Sequence, residues 1–138
     1  MSEMIIQGTI AQDAFHFSLP LSHKGNTANS PFILDTGAFE LTVSQQTASD
    51  LGLPNLGSLT ISGVTGSATA YTSEVDVQIA GQTFAHVSCV VDPSLAGTQL
   101  FGLRFFVDRQ LQLALNTVAQ TLTITPGASA PSNPSTPG

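Results

Sequence analysis

Positive charge is scarce in this chain. Of 138 residues only three are Lys or Arg (Lys24, Arg104 and Arg109), against nine Asp and Glu, so the net charge is −6. Charged residues make up 9% of the sequence, where about 25% is usual for a soluble domain. Phosphate backbones are held by clustered Lys and Arg, so nucleic acid is not an expected partner. An anionic membrane surface is set aside for the same reason, and no apolar run approaches the ~20 residues that span a bilayer. The opening stretch MSEMIIQGTIAQD has neither a basic n-region nor a long apolar h-region, so no signal peptide is expected. One cysteine, Cys89, cannot form an internal disulfide; within the apolar run AHVSCVVD it reads as an inert core thiol. These features fit a cytoplasmic protein. No Cys/His cluster has metal-ligand spacing, and His16, His23 and His86 are scattered, so no metal and no cofactor are expected. There is no phosphate-binding Gly-rich loop with a Lys, and GVTGS lacks the strand-to-helix setting of a nucleophile elbow.

What the chain does have is strand sequence. Its length suits one domain around one core. Val, Ile and Thr recur in short apolar runs, as strands prefer. MIIQGTIA and AFHFSLPL read as strands joined at Gln12-Asp13, and SHKGNTANS as a polar loop. PFIL and LTVS read as strands on either side of Gly37-Ala38-Phe39-Glu40. SQQTASDLGL predicts a short helix capped by Ser44, with Ala48 and Leu51 facing inward and Gly52 ending it. β-Rich segments flank GVTG, and TFAHVSCVVD follows a Gly81-Gln82 turn. A second short helix is expected after Gly102, in LFGLRFFVDRQ. LQLALN and QTLTIT close the chain as a hairpin around Thr117-Val118-Ala119. QTLTIT is apolar enough to pair as an edge with another chain unless something covers it. Residues 126–138 lack any apolar anchor and read as a disordered Pro/Ser/Gly-rich tail, leaving 1–125 as the domain.

One carboxylate is out of place in this pattern. Asp35 follows Pro31, Phe32, Ile33 and Leu34 directly and precedes Thr36-Gly37. The other acids (Glu3, Asp13, Glu40, Asp50, Glu74, Asp76, Asp92 and Asp108) sit in polar or alternating settings that suit solvent-facing positions. An unpaired carboxylate against hydrocarbon is costly, so it has a partner or a task. The tripeptide alone is also compatible with a plain turn closed by an Asx hydrogen bond.

FILDTGA followed by LTVS resembles the active-site loop of the retropepsin-like aspartic proteases, the single-domain form found in retroviruses and bacterial relatives. The order of the surrounding features carries the resemblance from about Met4 to Thr125. After the motif come a short helix (SQQTASDLGL), a Gly-rich hairpin tip (ISGVTGSATAY), two apolar residues with a Gly before a second helix (QLFGLRFF), and a closing strand pair. The resemblance implies an all-β fold, a closed retropepsin-like barrel with a flap hairpin and one or two short helices, assembled as a homodimer. It implies that Asp35 is catalytic, that Thr36, Gly37 and Ala38 support the active-site loop, and that Leu100, Phe101 and Gly102 hold that loop from behind. It places Gly63, Val64, Thr65 and Gly66 in the flap.

The implied reaction needs two carboxylates about 3 Å apart that share one proton across a water. This chain has one such motif, so the second Asp35 would come from another copy across a two-fold axis. The implied activity is aspartic endopeptidase, acting on peptide or protein substrates. Ala38 stands where acid-acting, pepsin-like relatives commonly carry Ser. It cannot donate a hydrogen bond toward the carboxylate, so activity is expected to extend from mildly acidic toward neutral pH. The chain departs from the family pattern at Arg104, where a small acid or Asn is frequent, and at Glu40 and Leu41, which do not match the acidic pair of retroviral members. The alternatives are a non-catalytic dimerisation or peptide-binding module on the same fold, and a small β-barrel binding domain without a dyad.

Overall fold

The structure, a computed structural model, describes residues 2–63 and 66–127. Two of the four expected flap residues, Val64 and Thr65, and nearly all of the expected tail lie outside the described residues.

The chain is all-β with two short helices. In order it forms β1 (Met4–Gln7), β2 (Thr9–Ala11), β3 (Ala14–His23), β4 (Asn26–Leu34), β5 (Leu41–Ser44), α1 (Gln45–Leu51), β6 (Gly57–Gly63), β7 (Gly66–Ile79), β8 (Gln82–Asp92), β9 (Gln99–Phe101), α2 (Arg104–Arg109), β10 (Leu111–Asn116) and β11 (Thr121–Pro126). Along β3 and β11 buried and solvent-facing positions alternate, so each strand lays one row of side chains on the core.

Two sheets result. One has three strands in the order β1-β11-β10. The other has eight, in the order β2-β3-β4-β9-β5-β8-β7-β6. A short antiparallel contact, Leu21 with Val77 and Ser22 with Asp76, brings β3 back toward β7 and curls the large sheet. The closed barrel expected from the sequence is not formed. The sheet stays open, with β2 and β6 as its end strands, because only two residue pairs bridge β3 and β7.

Other expectations change in detail. MIIQGTIA is not one strand: the chain leaves the small sheet after β1 and enters the large one at β2. Gly8 sits at the crossing, where a Cβ would meet the Phe15 ring and the His16 carbonyl, both at 2.5 Å. SHKGNTANS is not a loop. It carries β3 into β4 through a tight turn at Lys24 and Gly25, both with positive φ (46° and 88°), and its polar residues follow the exposed end of that hairpin. The turn before β8 is Ala80-Gly81 rather than Gly81-Gln82. QTLTIT is no edge, since β11 lies between β1 and β10. The α1 boundaries follow the expected caps: Ser44 Oγ accepts from Thr47 N, and Gly52 ends the helix with φ 69°.

The core holds a run of aromatic rings. Phe17 stacks on Phe32 at 6.0 Å, Phe32 meets Phe101 edge-on at 5.5 Å, and Phe101 meets Phe105 at 5.4 Å. Such pairs contribute about 0.5–1.5 kcal/mol beyond the area they bury. Phe101 therefore ties β9 and α2 to the centre of the domain, which matters for the loop beside it.

Candidate functional site

The loop from Asp35 to Glu40 begins where β4 ends and finishes where β5 begins. β9 lies between those two strands. It runs parallel to β4, pairing Leu34 with Phe101, and antiparallel to β5, pairing Leu41 with Phe101. Both ends of the loop are thus registered on one buried residue. Asp35 N donates to the Phe101 carbonyl at 3.1 Å, and Ala38 N donates to the Asp35 carbonyl at 3.1 Å.

Residues 102–104 brace the middle of the loop. Leu103 N donates to the Ala38 carbonyl at 3.2 Å and Arg104 N to the Phe39 carbonyl at 2.7 Å. Gly102 is buried, and a Cβ there would meet the Glu40 carbonyl and, at 2.5 Å, the Phe39 carbonyl. Only hydrogen leaves room for that approach. The structure thus brings the expected supporting residues Phe101 and Gly102, with Leu100 beside them in β9, against the Asp35 loop.

Asp35 is half-buried, whereas Thr36 and Gly37 are exposed. Its Oδ1 accepts from Gly37 N at 3.0 Å. This is the Asx hydrogen bond that a simple turn would also make, so its presence does not by itself mark a reacting group. The bond turns one carboxylate oxygen into the loop. The two cations one might expect near Asp35 are engaged elsewhere. Arg109 lies over the Phe105 ring at 4.4 Å, where burial lowers its pKa. Arg104 binds Glu40, with Nη1 at 3.1 and 3.2 Å from the two carboxylate oxygens, and places Nε 3.3 Å from Asp108. The hydrogen bond to Glu40 is the main cause of a raised Arg104 pKa, followed by the Glu40 charge. The departure at Arg104 is thus matched by Glu40, another departure from the family pattern.

Sequence reasoning missed two buried polar residues near this frame. Gln99 is fully buried: its Oε1 accepts from Ser44 N at 2.9 Å and its Nε2 donates to the Pro31 carbonyl at 3.2 Å, joining β4 and β5 through β9. The only sequence signal was a polar residue directly before the apolar pair of QLFG. Asp92, expected to face solvent, is buried at the end of β8, where its Oδ1 accepts from both the amide and the hydroxyl of Ser94. Cys89 is buried as expected, and its thiol is pushed up to about 12, chiefly by desolvation.

In the expected flap, β6 and β7 form a hairpin in which Gly63 pairs with Gly66. Two cavities lie beside β1: one of about 330 Å³ between β1, β3 and the turn after β7, and one of about 490 Å³ between the β1–β2 crossing and the β3–β4 hairpin. Apart from His16, no ionisable side chain lines either, so they do not compete with the Asp35 loop as a place for acid–base chemistry. Among the described residues no group of three His, Cys, Asp or Glu is placed to hold a metal ion, and no helix is long and apolar enough to cross a membrane.

A carboxylate on a loop framed by two strands, with a third strand and a glycine behind it, defines a retropepsin-like aspartic protease fold. Solved structures share that fold. A retropepsin-like aspartic protease from Rickettsia conorii aligns with a TM-score of 0.59 at 20% identity, covering 88% of this chain and 89% of that one. The EIAV protease complexed with the inhibitor HBY-793 aligns with a TM-score of 0.58 at 16% identity, covering 78% and 98%. The chain belongs to the family described as gag-polyprotein putative aspartyl protease, whose model matches residues 22–108. No curated protein matches the sequence.

Proposed function

We propose that the protein is an aspartic endopeptidase that works as a homodimer, with Asp35 of each subunit flanking one water. The observation that carries this reading is the framed, half-buried Asp35 on its braced loop, present once per chain. The family match supports the peptidase reading independently. In the proposed reaction the ionised carboxylate takes a proton from the water as its oxygen attacks the peptide carbonyl carbon. The protonated carboxylate gives its proton to the carbonyl oxygen. The tetrahedral diol then collapses: the C–N bond breaks, the leaving nitrogen takes the proton held by one carboxylate, and a diol hydroxyl returns its proton to the other, which restores the singly protonated dyad. The shared proton lets one carboxylate act as base while the other acts as acid.

Thr36, Gly37 and Ala38 complete the loop in this reading, and Leu100, Phe101 and Gly102 hold it. The β6–β7 hairpin, whose last described pair is Gly63 with Gly66, covers an extended substrate in this reading. The substrate would be bound through main-chain hydrogen bonds and mostly apolar subsites, given how few charges the chain carries. Residues 1–125 form the catalytic domain and 126–138 a tail; β11 itself extends to Pro126.

The test is digestion of a peptide library by the native protein and Asp35→Asn side by side, with sedimentation at the assay concentration. Cleavage by a dimer, lost in Asp35→Asn with an unchanged fold, is the expected result. Retained turnover in Asp35→Asn overturns the assignment. Peptide binding without cleavage by the native protein would instead identify a peptide-binding module. Activity proportional to concentration far below any dimerisation would exclude the shared dyad.

A further inference from the structure

Arg104 touches the Asp35 loop twice. Its backbone N–H holds the Phe39 carbonyl at 2.7 Å, and its guanidinium holds both oxygens of Glu40, the last loop residue. Asp108, one turn along α2, steadies the same guanidinium through Nε at 3.3 Å. The side chains of Arg104 and Glu40 are 38% and 34% exposed, so the pair is no deep core contact and adds little to global stability. Its local effect is larger. Thr36 and Gly37 are exposed, and Gly37 N–H is the group that orients Asp35 Oδ1. Whatever holds residues 38–40 therefore sets where that N–H points, and with it the carboxylate.

We infer that Arg104 is a positioning residue: by gripping Glu40 it holds the Gly37 amide, and through it the Asp35 carboxylate, in the orientation that hydrolysis requires. The inference rests on the peptidase reading for its catalytic part, but the mechanical part stands apart from it. An Arg is suited to this place because one planar fork reaches Glu40 and Asp108 together, which the single ammonium of Lys cannot reproduce.

The test uses the full chain as native protein, Arg104→Gln, Arg104→Lys, Glu40→Gln and the double Arg104→Gln/Glu40→Gln. kcat and KM are measured on one cleaved peptide, at a concentration where sedimentation shows equal dimer for all forms. Amide hydrogen exchange at Gly37 and Ala38 is followed in parallel, together with thermal unfolding. The expected outcome is a fall in kcat of about 5- to 20-fold in Arg104→Gln and in Glu40→Gln, with KM moving less than about twofold. The double variant falls no further than the worse single, because both remove the same bond. Arg104→Lys recovers part of the loss. Exchange at Gly37 and Ala38 quickens in Arg104→Gln while the unfolding midpoint shifts by no more than a few degrees.

An unchanged kcat in Arg104→Gln, or losses that multiply in the double variant, overturns the inference. So does a loss of activity that matches the loss of folded dimer. If the native protein cleaves nothing, the peptidase reading fails instead, and the exchange rates alone decide the clamp: unaltered exchange refutes it.

Discussion

Replacing Gly102 by alanine tests the brace behind the loop most directly. The glycine does not need a left-handed backbone, so the only obstacle is space. The new methyl would lie 2.5 Å from the Phe39 carbonyl oxygen and also against the Glu40 carbonyl oxygen. Real Cβ contacts essentially never fall below 3.0 Å, so one side must retreat by at least about half an ångström. Both obstructing atoms are backbone and cannot rotate away. The retreat strains the hydrogen bonds from Leu103 N to Ala38 O and from Arg104 N to Phe39 O, each contributing about 1 kcal/mol net. With about 1–3 kcal/mol of overpacking, the expected destabilisation is about 2–4 kcal/mol, a large part of the 5–15 kcal/mol typical of a domain. A loop displaced by this much should lower kcat/KM about 10- to 100-fold in the fraction that stays folded. Urea unfolding gives the first quantity and peptide turnover, corrected for folded fraction, the second. Gly25→Ala is the control: φ is +88° there and no atom lies within 4 Å, so it costs about 1 kcal/mol of backbone strain and leaves turnover unchanged. A Gly102→Ala protein with native stability and native turnover would refute the brace.

Gln99→Leu keeps the volume but leaves Ser44 N–H and the Pro31 carbonyl without their buried partner, so urea unfolding should show a loss of about 2–4 kcal/mol; a loss under 0.5 kcal/mol means those groups find water. Cys89 should resist thiol reagents at neutral pH until urea unfolds the chain, since a pKa of about 12 against an ordinary 9.0 lowers the thiolate fraction about 10³-fold; rapid labelling of the folded protein would disprove its burial. The neutral thiol's contribution to stability is fully present below pH 9.0 and is lost as pH rises through about 12, so the unfolding midpoint should decline across that window in an alkaline titration rather than below it. A peptide-like inhibitor should slow amide exchange at Gly63 and Gly66; unchanged exchange there, with protection elsewhere, would place the ligand at another site.

Local physics made much of this protein legible from its sequence. Ser44 and Gly52 mark the ends of α1 because caps and left-handed glycines act within a few residues. The Asp-Thr-Gly loop stood out because a carboxylate directly after four apolar residues conflicts with the cost of burying charge. The glycine of QLFG could be singled out only by resemblance; its physical reason, two carbonyls from a segment some 60 residues earlier, exists only in the folded chain.

What tertiary structure decided is everything that depends on partners distant in sequence. Polar residues at 22–30 looked like a loop, yet hairpin pairing with β3 outweighed their weak strand preference. Gln99 looked ordinary because a buried polar group is tolerated only when its hydrogen-bond partners arrive, and those, Ser44 N–H and the Pro31 carbonyl, lie 55 and 68 residues away. Asp92 is satisfied locally by Ser94, and only its burial at the end of β8 came from the fold. The barrel stayed open because closure depends on how far β3 and β7 remain in register, a property of sheet curl rather than of either strand's sequence. Arg104 read as an anomaly until Glu40, 64 residues before it, was found within 3.2 Å, since an ion pair is fixed by distance in space and leaves no periodic trace along the chain.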